Sequence, residues 1–307
     1  MMRSTKHQWK TLLFYLFASF LTSIFVTPEA IDSISACQTI KNDESIVSAG
    51  GTFELGFFSP ENSEYRFLGI WYTNIYSSVV WVANRETPLT DSSGVLKLED
   101  GILTLLNQSN NIIWSSRMKI GRIVEGIDLY ISSWKSIDDP SQGNFTLEID
   151  SSGLQVILKQ GMAVKARSGM WNGLGFSGMP IMKPNTLYNF TYISNQREKY
   201  FTYELLNKSV ISKMVLDESG KMELFTWNDL ARNWIGFSVV PMDKCDAYAL
   251  CGVNGICSLS NSQTCGCLNR FIPTNWETDW RSGCARIMSL DCQKGDGFIK
   301  VFQHQIA

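Results

Sequence analysis

Six of the eight cysteines in this 307-residue chain fall within forty residues of one another. They are Cys245, Cys251, Cys257, Cys265, Cys267 and Cys284, spaced C-x5-C-x5-C-x7-C-x-C-x16-C, while Cys37 and Cys292 stand apart. A stretch this short cannot bury enough apolar surface to hold itself together, so cysteines at this density read as covalent staples. No C-x2-C pair occurs and no histidine is near, which argues against a zinc site. Disulfides persist in oxidising compartments, so the cluster points outside the cytosol.

The N-terminus points the same way. Arg3, Lys6 and Lys10 precede an apolar run from Leu12 to Val26 that only Ser and Thr interrupt. A run of about fifteen residues suits a signal-peptide core and is short for a membrane span. Residues 1–30 therefore read as a signal peptide, with an uncleaved anchor as the alternative. No second apolar run follows, so the expectation is a secreted protein with no membrane span beyond the signal peptide. The net charge is −2, and Lys and Arg are scattered rather than striped, which argues against nucleic-acid and anionic-membrane partners. The triplets at Asn107, Asn144, Asn189 and Asn207 are glycosylation acceptors of the kind a secreted glycoprotein carries.

The rest reads as β-structure. Phe53, Leu55 and Phe57 alternate with polar or small residues, as do Phe145, Leu147 and Ile149, and Phe201, Tyr203 and Leu205. Period two with aromatic and β-branched residues predicts strands. Three Asp-x-Ser-Gly stretches, Asp91–Gly94, Asp150–Gly153 and Asp217–Gly220, lie between apolar runs and predict hairpin turns. No long stretch after the signal has helical periodicity.

Catalysis finds little support. The two histidines, His7 and His304, lie in the signal and the tail, which removes Ser-His-Asp and Cys-His chemistry. Gly173–Gly178 matches G-x-G-x-x-G, but Pro180 and Pro184 follow where a phosphate site needs a helix, so it reads as a turn. Asp138 and Asp139 are adjacent. On a strand they would face opposite sides, and Asp139-Pro140 favours a turn, so they do not read as a glycosidase pair. The kinase signatures H-R-D, D-F-G and V-A-I-K are absent. No catalytic residue, cofactor or metal ligand is assigned. Trp71, Trp81 and Trp114 sit in apolar runs and are expected in the core rather than stacked on sugar.

Several stretches carry a resemblance. They are Ser48–Pro60 (SAGGTFELGFFSP), Leu68–Tyr72 (LGIWY), Val80–Leu89 (VWVANRETPL), Ser132–Ser136 with Asp138–Pro140, Arg167–Gly173 (RSGMWNG), Tyr248–Gly252 (YALCG) and Cys292–Phe298 (CQKGDGF). Together they resemble the extracellular region of plant S-locus glycoproteins and S-locus-type (G-type lectin) receptor kinases. The resemblance implies an all-β chain: signal peptide at 1–30, bulb-type lectin β-prism at 31–121, S-locus glycoprotein domain at 122–240, EGF-like module at 241–284 and the start of a PAN module at 285–307. It implies the pairing Cys245–Cys257, Cys251–Cys265 and Cys267–Cys284, whereas spacing alone leaves many connectivities open. Cys37 and Cys292 then remain over, as free thiols, as a pair, or bonded to a second chain. Only Asp243 precedes the module closely, so a calcium-binding EGF form is not expected.

The chain departs from that pattern in two places. Trp114-Ser115-Ser116 runs straight into Arg117–Gly121, where the family has a further stretch of about fifty residues, so the three-sheet prism is expected to be incomplete, with exposed strand edges. The chain also stops inside the PAN module. The mannose motif Q-x-D-x-N-x-V-x-Y is absent. The resemblance implies a non-catalytic extracellular recognition protein, as in pollen recognition or defence signalling. Its partners would be a secreted cysteine-rich peptide or protein ligand and related ectodomains. A mannose-binding defence lectin and a non-functional truncated product are the rival readings.

Overall fold

The computed structural model describes residues 32–36, 38–75, 78–116, 130–179, 182, 186–195, 199–259, 263–275, 279–289 and 305–306. The signal segment, Cys37, Pro180, Pro184, Arg117–Gly121, Cys292 and both histidines lie outside the described residues, as does most of the stretch assigned to the PAN module.

The first part is built from β1 (Thr39–Lys41), β2 (Ser45–Val47), β3 (Phe53–Phe58), β4 (Phe67–Tyr72), β5 (Val79–Val82), β6 (Val95–Glu99), β7 (Ile102–Leu106) and β8 (Ile112–Ser115). They form two four-stranded antiparallel sheets, ordered β2-β3-β4-β5 and β1-β6-β7-β8. Alternation sends one face of each inward. Leu96 and Leu105 are directly opposite each other across β6 and β7 and wholly buried. Ile40, Ile46, Phe57, Leu68 and Leu89 complete that core. Asn84 is buried among them and earns its place by hydrogen bonding. Its Oδ1 accepts from the Leu68 amide at 2.8 Å, and its Nδ2 donates to the carbonyls of Arg66 and Thr87.

β5 and β8 are edge strands, and they are poorly covered. Val80, Trp81 and Ile112 are 41%, 40% and 68% exposed, and Trp81 meets Trp114 edge to face at 5.5 Å. Trp81 thus departs from its expected core position, and Trp71 and Trp114 are only half-buried. An apolar open edge is a template for unwanted strand pairing. Ile112→Lys should therefore lower the aggregated fraction several-fold in light scattering, with an unchanged circular dichroism spectrum. Equal aggregation of the two proteins would mean that these edges are not sticky.

Next come β9 (Ile131–Ser136), β10 (Asp139–Ile149), β11 (Val156–Gln160), β12 (Ala163–Arg167), β13 (Tyr188–Ser194), β14 (Lys199–Leu205), β15 (Ser212–Leu216), β16 (Met222–Asn228) and β17 (Asn233–Val240). They form a sheet ordered β12-β11-β10-β9, a β13-β14 hairpin and a sheet ordered β15-β16-β17. Asp150–Gly153 and Asp217–Gly220 join hairpin neighbours as expected, whereas Asp91–Gly94 is no hairpin turn and carries the chain from β5 in one sheet to β6 in the other. In all three the aspartate side chain closes the turn. Asp91 and Asp217 accept from the amides two residues on, at Ser93 and Ser219, at 2.8 and 2.9 Å. Asp150 accepts from the Ser152 hydroxyl and the Leu154 amide. These bonds stabilise the ionised Asp91, holding its carboxyl below the ordinary value. Gly153 and Gly220 close their turns at φ 66° and 85°, where a side chain would strain the backbone.

Asp139-Pro140 is not the turn expected of it. The turn is Ile137-Asp138, and Pro140 lies within β10. Its missing amide does no harm, because the β9–β10 register shifts between Asp139 and Gln142.

The cysteine module holds β18 (Gly255–Cys257), β19 (Cys265–Cys267), β20 (Phe271–Pro273) and β21 (Cys284–Arg286), with β22 (Gln305–Ile306) alongside β18. Its bonds are Cys245–Cys257, Cys251–Cys265 and Cys267–Cys284. Its core is largely sulfur: Cys251, Cys257, Cys265 and Cys284 are buried, and Leu250 and Trp280 pack against the first three. Gly252 sits at φ 64°, and an added Cβ would lie 2.5 Å from the Arg281 carbonyl, so no other residue fits there. The module is fastened to β12. The Tyr248 amide donates to the Lys165 carbonyl at 2.7 Å, and the Arg167 guanidinium lies 4.2 Å over the Tyr248 ring.

Candidate recognition surface

β16 and β17 are joined across the four residues 229–232, with Asn228 opposite Asn233 and Trp227 opposite Trp234. Asn228 Oδ1 accepts from the Ala231 amide at 2.9 Å, and Arg232 takes a left-handed φ of 47°, which together close the loop. The two indoles therefore share one face of the sheet, 5.3 Å apart and edge to face. Trp234 continues onto Tyr72 of β4 at 5.8 Å, and Tyr72 onto Phe53 of β3 at 4.9 Å. Four rings thus run in a row from the first part of the chain onto the last sheet of the second.

The row has a fixed base and accessible flanks. Tyr72 is buried, and its hydroxyl donates to the Ser212 carbonyl at 2.8 Å. Burial, with Tyr203 nearby, pushes the Tyr72 phenol up to about 12, so it keeps its proton and its donor role throughout the neutral range. Phe53 is 38% exposed and both indoles are half-buried. Lys213 lies beneath, its ammonium 4.3 Å from the Trp234 ring centroid, 5.8 Å from that of Phe225 and 3.5 Å from Ser78 Oγ. Burial lowers its pKa.

Such a row does no proton transfer or nucleophilic work. It offers rigid apolar faces with one positive charge behind them, which suits contact with a protein side chain or a sugar face. The sequence signal for it was the symmetric string Trp227-Asn-Asp-Leu-Ala-Arg-Asn-Trp234, two tryptophans mirrored about a four-residue loop. Sequence reasoning missed it, because the partners Phe53 and Tyr72 lie far away in the chain.

The other candidates have structural roles. Asp138 accepts from Asn62 Nδ2 at 3.0 Å, while Asp139 accepts from the Ser141 amide at 3.0 Å and pairs with Lys135 at 3.3 Å. Gly173–Gly178 forms a turn in which Asn172 Oδ1 accepts from the amides of Leu174 and Gly175. Asp243 accepts from the Cys245 amide at 2.7 Å, capping the 3-10 turn Lys244–Asp246. Among the described residues no three His, Cys, Asp or Glu side chains converge as metal ligands, and no helix is long and apolar enough to cross a membrane. Asn144, Asn189 and Asn207 are exposed and Asn107 is half-buried. Asn107 and Asn207 bind the amides of Ser109 and Ser209 through Oδ1, which leaves each Nδ2 out of those bonds.

Comparison with known proteins gives two family matches. The S-locus glycoprotein domain matches residues 166–275, and the D-mannose binding lectin family matches residues 78–157. The receptor-like serine/threonine-protein kinase SD1-8 of Arabidopsis thaliana is 34% identical over 324 aligned positions, covering 88% of this chain and 38% of the kinase. The S-locus-specific glycoprotein BS29-2 of Brassica oleracea var. alboglabra is 30% identical over 346 positions, covering 94% of this chain and 79% of that glycoprotein. This chain thus spans about two fifths of the length of the receptor-like kinase. The alignment with that kinase uses 88% of 307 residues, about 270, against 324 positions, so about 54 positions have no counterpart here.

Proposed function

The chain belongs to the family of S-locus glycoproteins and S-receptor-like kinase ectodomains, and from that premise we propose that it is a non-catalytic extracellular recognition protein for a secreted, cysteine-rich peptide or protein ligand. The Phe53–Tyr72–Trp234–Trp227 row carries the reading. It is a rigid aromatic strip, half open to solvent, and it bridges two parts of the chain. Buried aromatic anchors dominate protein recognition because they bring large area with few rotors to freeze. Trp227→Ala with Trp234→Ala should weaken capture of candidate secreted peptides, or of related ectodomains, at least tenfold, since anchor residues of this type contribute about 2 kcal/mol or more. Undiminished capture by the folded double variant would remove the row from the interface.

The chain divides in this reading into a signal peptide, a shortened lectin part, an S-locus glycoprotein part, an EGF-like module and the start of a PAN module, at the boundaries given by its sequence. We place the missing stretch at the Ser116–Arg117 junction. A transcript read across that junction tests it, and a read containing the intervening codons would overturn it. Asn107, Asn144, Asn189 and Asn207 are the proposed glycan acceptors, on a protein delivered outside the cell.

The match to a mannose-binding lectin family over residues 78–157 favours a second reading, a defence lectin. Glycan-array binding that mannose inhibits would support it, and a blank array with folded protein would eliminate it.

A further inference from the structure

A cavity of about 280 Å3 lies where β9–β12, the β13–β14 hairpin and the β15–β17 sheet meet. Native interiors are packed to crystal density and rarely leave voids larger than a water. A cavity of about 150 Å3 lined by aliphatic and aromatic groups stays dry and takes up benzene, so this one has room for about twice that molecule. We infer that it is a binding site for a compact, neutral, hydrocarbon-like molecule of about ten to twelve heavy atoms, such as a monoterpene or an alkylbenzene.

The lining decides the ligand class. Met179, Met182, Met214 and Met222 supply much of the wall, with Phe176 and Phe201 beside them. Thioether chains are unbranched and polarisable, so they adapt to ligand shape and contact aromatic rings well. The polar atoms of the lining are mostly already engaged. Ser168 Oγ accepts from the Val156 amide at 2.9 Å and donates to the Gly169 carbonyl at 2.8 Å. The Arg167 guanidinium lies over the Tyr248 ring. A carboxylate or polyol entering the cavity would lose its hydration and find few partners, whereas an apolar molecule loses nothing of that kind. Ile131, Arg167 and Thr202 are the exposed members of the lining and mark the mouth.

The site is distinct from the aromatic row, so failure of one leaves the other standing. The test uses the whole chain and the neutral, environment-sensitive dye 1-naphthylamine, whose size of about eleven heavy atoms matches the cavity. One dye per chain should bind with enhanced emission, and the neutral ten-carbon p-cymene should displace it while decanoate at equal concentration should not. Ala166→Phe and Val156→Phe each fill the cavity, and should weaken the dye at least tenfold with the circular dichroism retained. Should these variants fail to fold, methionine-methyl NMR on the unaltered protein decides. p-Cymene should shift the methyl signals of Met179, Met182, Met214 and Met222 beyond those of the other methionines. Undiminished dye binding by folded filled variants, loss of the dye in Ile112→Lys, equal displacement by decanoate, or unmoved methyl signals would each overturn the assignment.

Discussion

Cys251→Ser is expected to destabilise the cysteine module by about 3 kcal/mol and to cut secretion from an oxidising host to near zero. The Cys251–Cys265 bond closes a loop of fourteen residues in sequence separation, and Cys251 is wholly buried. A module whose core is largely its own sulfur has little apolar area to fall back on, so loss of one bond removes both the chain constraint and the centre of the packing. The neighbours add to the cost of any rearrangement, because a Cβ on Gly255 would already stand 2.1 Å from the Cys251 carbonyl. Thiol titration of whatever protein is recovered should find Cys265 newly free. Wild-type yield and melting temperature for this variant would show that the bond is dispensable and that the module is held by its contact with β12.

Arg85→Ala is the second large effect. Arg85 follows β5 and reaches across to β9 and β10. Its Nε donates to the Pro140 carbonyl at 2.5 Å, Nη1 to Ser132 Oγ at 2.9 Å and Nη2 to the Ser133 carbonyl at 2.9 Å. Beside it, Glu86 accepts from the Gln142 amide at 2.8 Å. Burial lowers the Arg85 pKa, against the pull of Glu86 and Tyr130, yet the group stays charged because guanidinium starts so high. Hydrogen bonds from a charged donor contribute about 1.5–3 kcal/mol each, and their acceptors here would be left without that partner, so about 2–4 kcal/mol of stability should disappear. Lysine should restore less than half, since a single ammonium cannot serve three acceptors in a fork. Denaturant unfolding should become biphasic as the first two sheets uncouple from the third. A single transition at the wild-type midpoint would mean that the fork is decorative.

That arginine also marks how far the sequence could be read. Val80–Leu89 was recognisable as a motif, but nothing in it says that Arg85 leaves its own sheet to grip Pro140, fifty-five residues on. The alternating strands were legible because period two is a local property. Leu147 packs on the core around Leu158, as its alternation requires. The Asp-x-Ser-Gly turns were legible for the same reason, since donor and acceptor are two residues apart. Trp81 was misjudged, because an apolar run shows that a residue prefers burial and not that a neighbouring sheet arrives to cover it. The position of the turn beside Asp139-Pro140 was misjudged too. Proline lacks the amide N–H that a ladder hydrogen bond needs, and a shifted register makes that loss harmless inside a strand.

By itself the sequence determined what acts over short distances along the chain: strand alternation, turn chemistry and the density of cysteine. Which sulfur meets which, which tryptophans line up, and where a cavity stays open were decided by the tertiary structure. The cysteine spacings permit many pairings, and only the path of the backbone brings Cys251 to Cys265 rather than to its nearer neighbour Cys257. The aromatic row likewise joins Phe53 to Trp227, because two sheets distant in sequence pack with one face of rings between them. Local pattern is set by backbone stereochemistry, whereas contact between distant segments is set by how whole faces exclude water together.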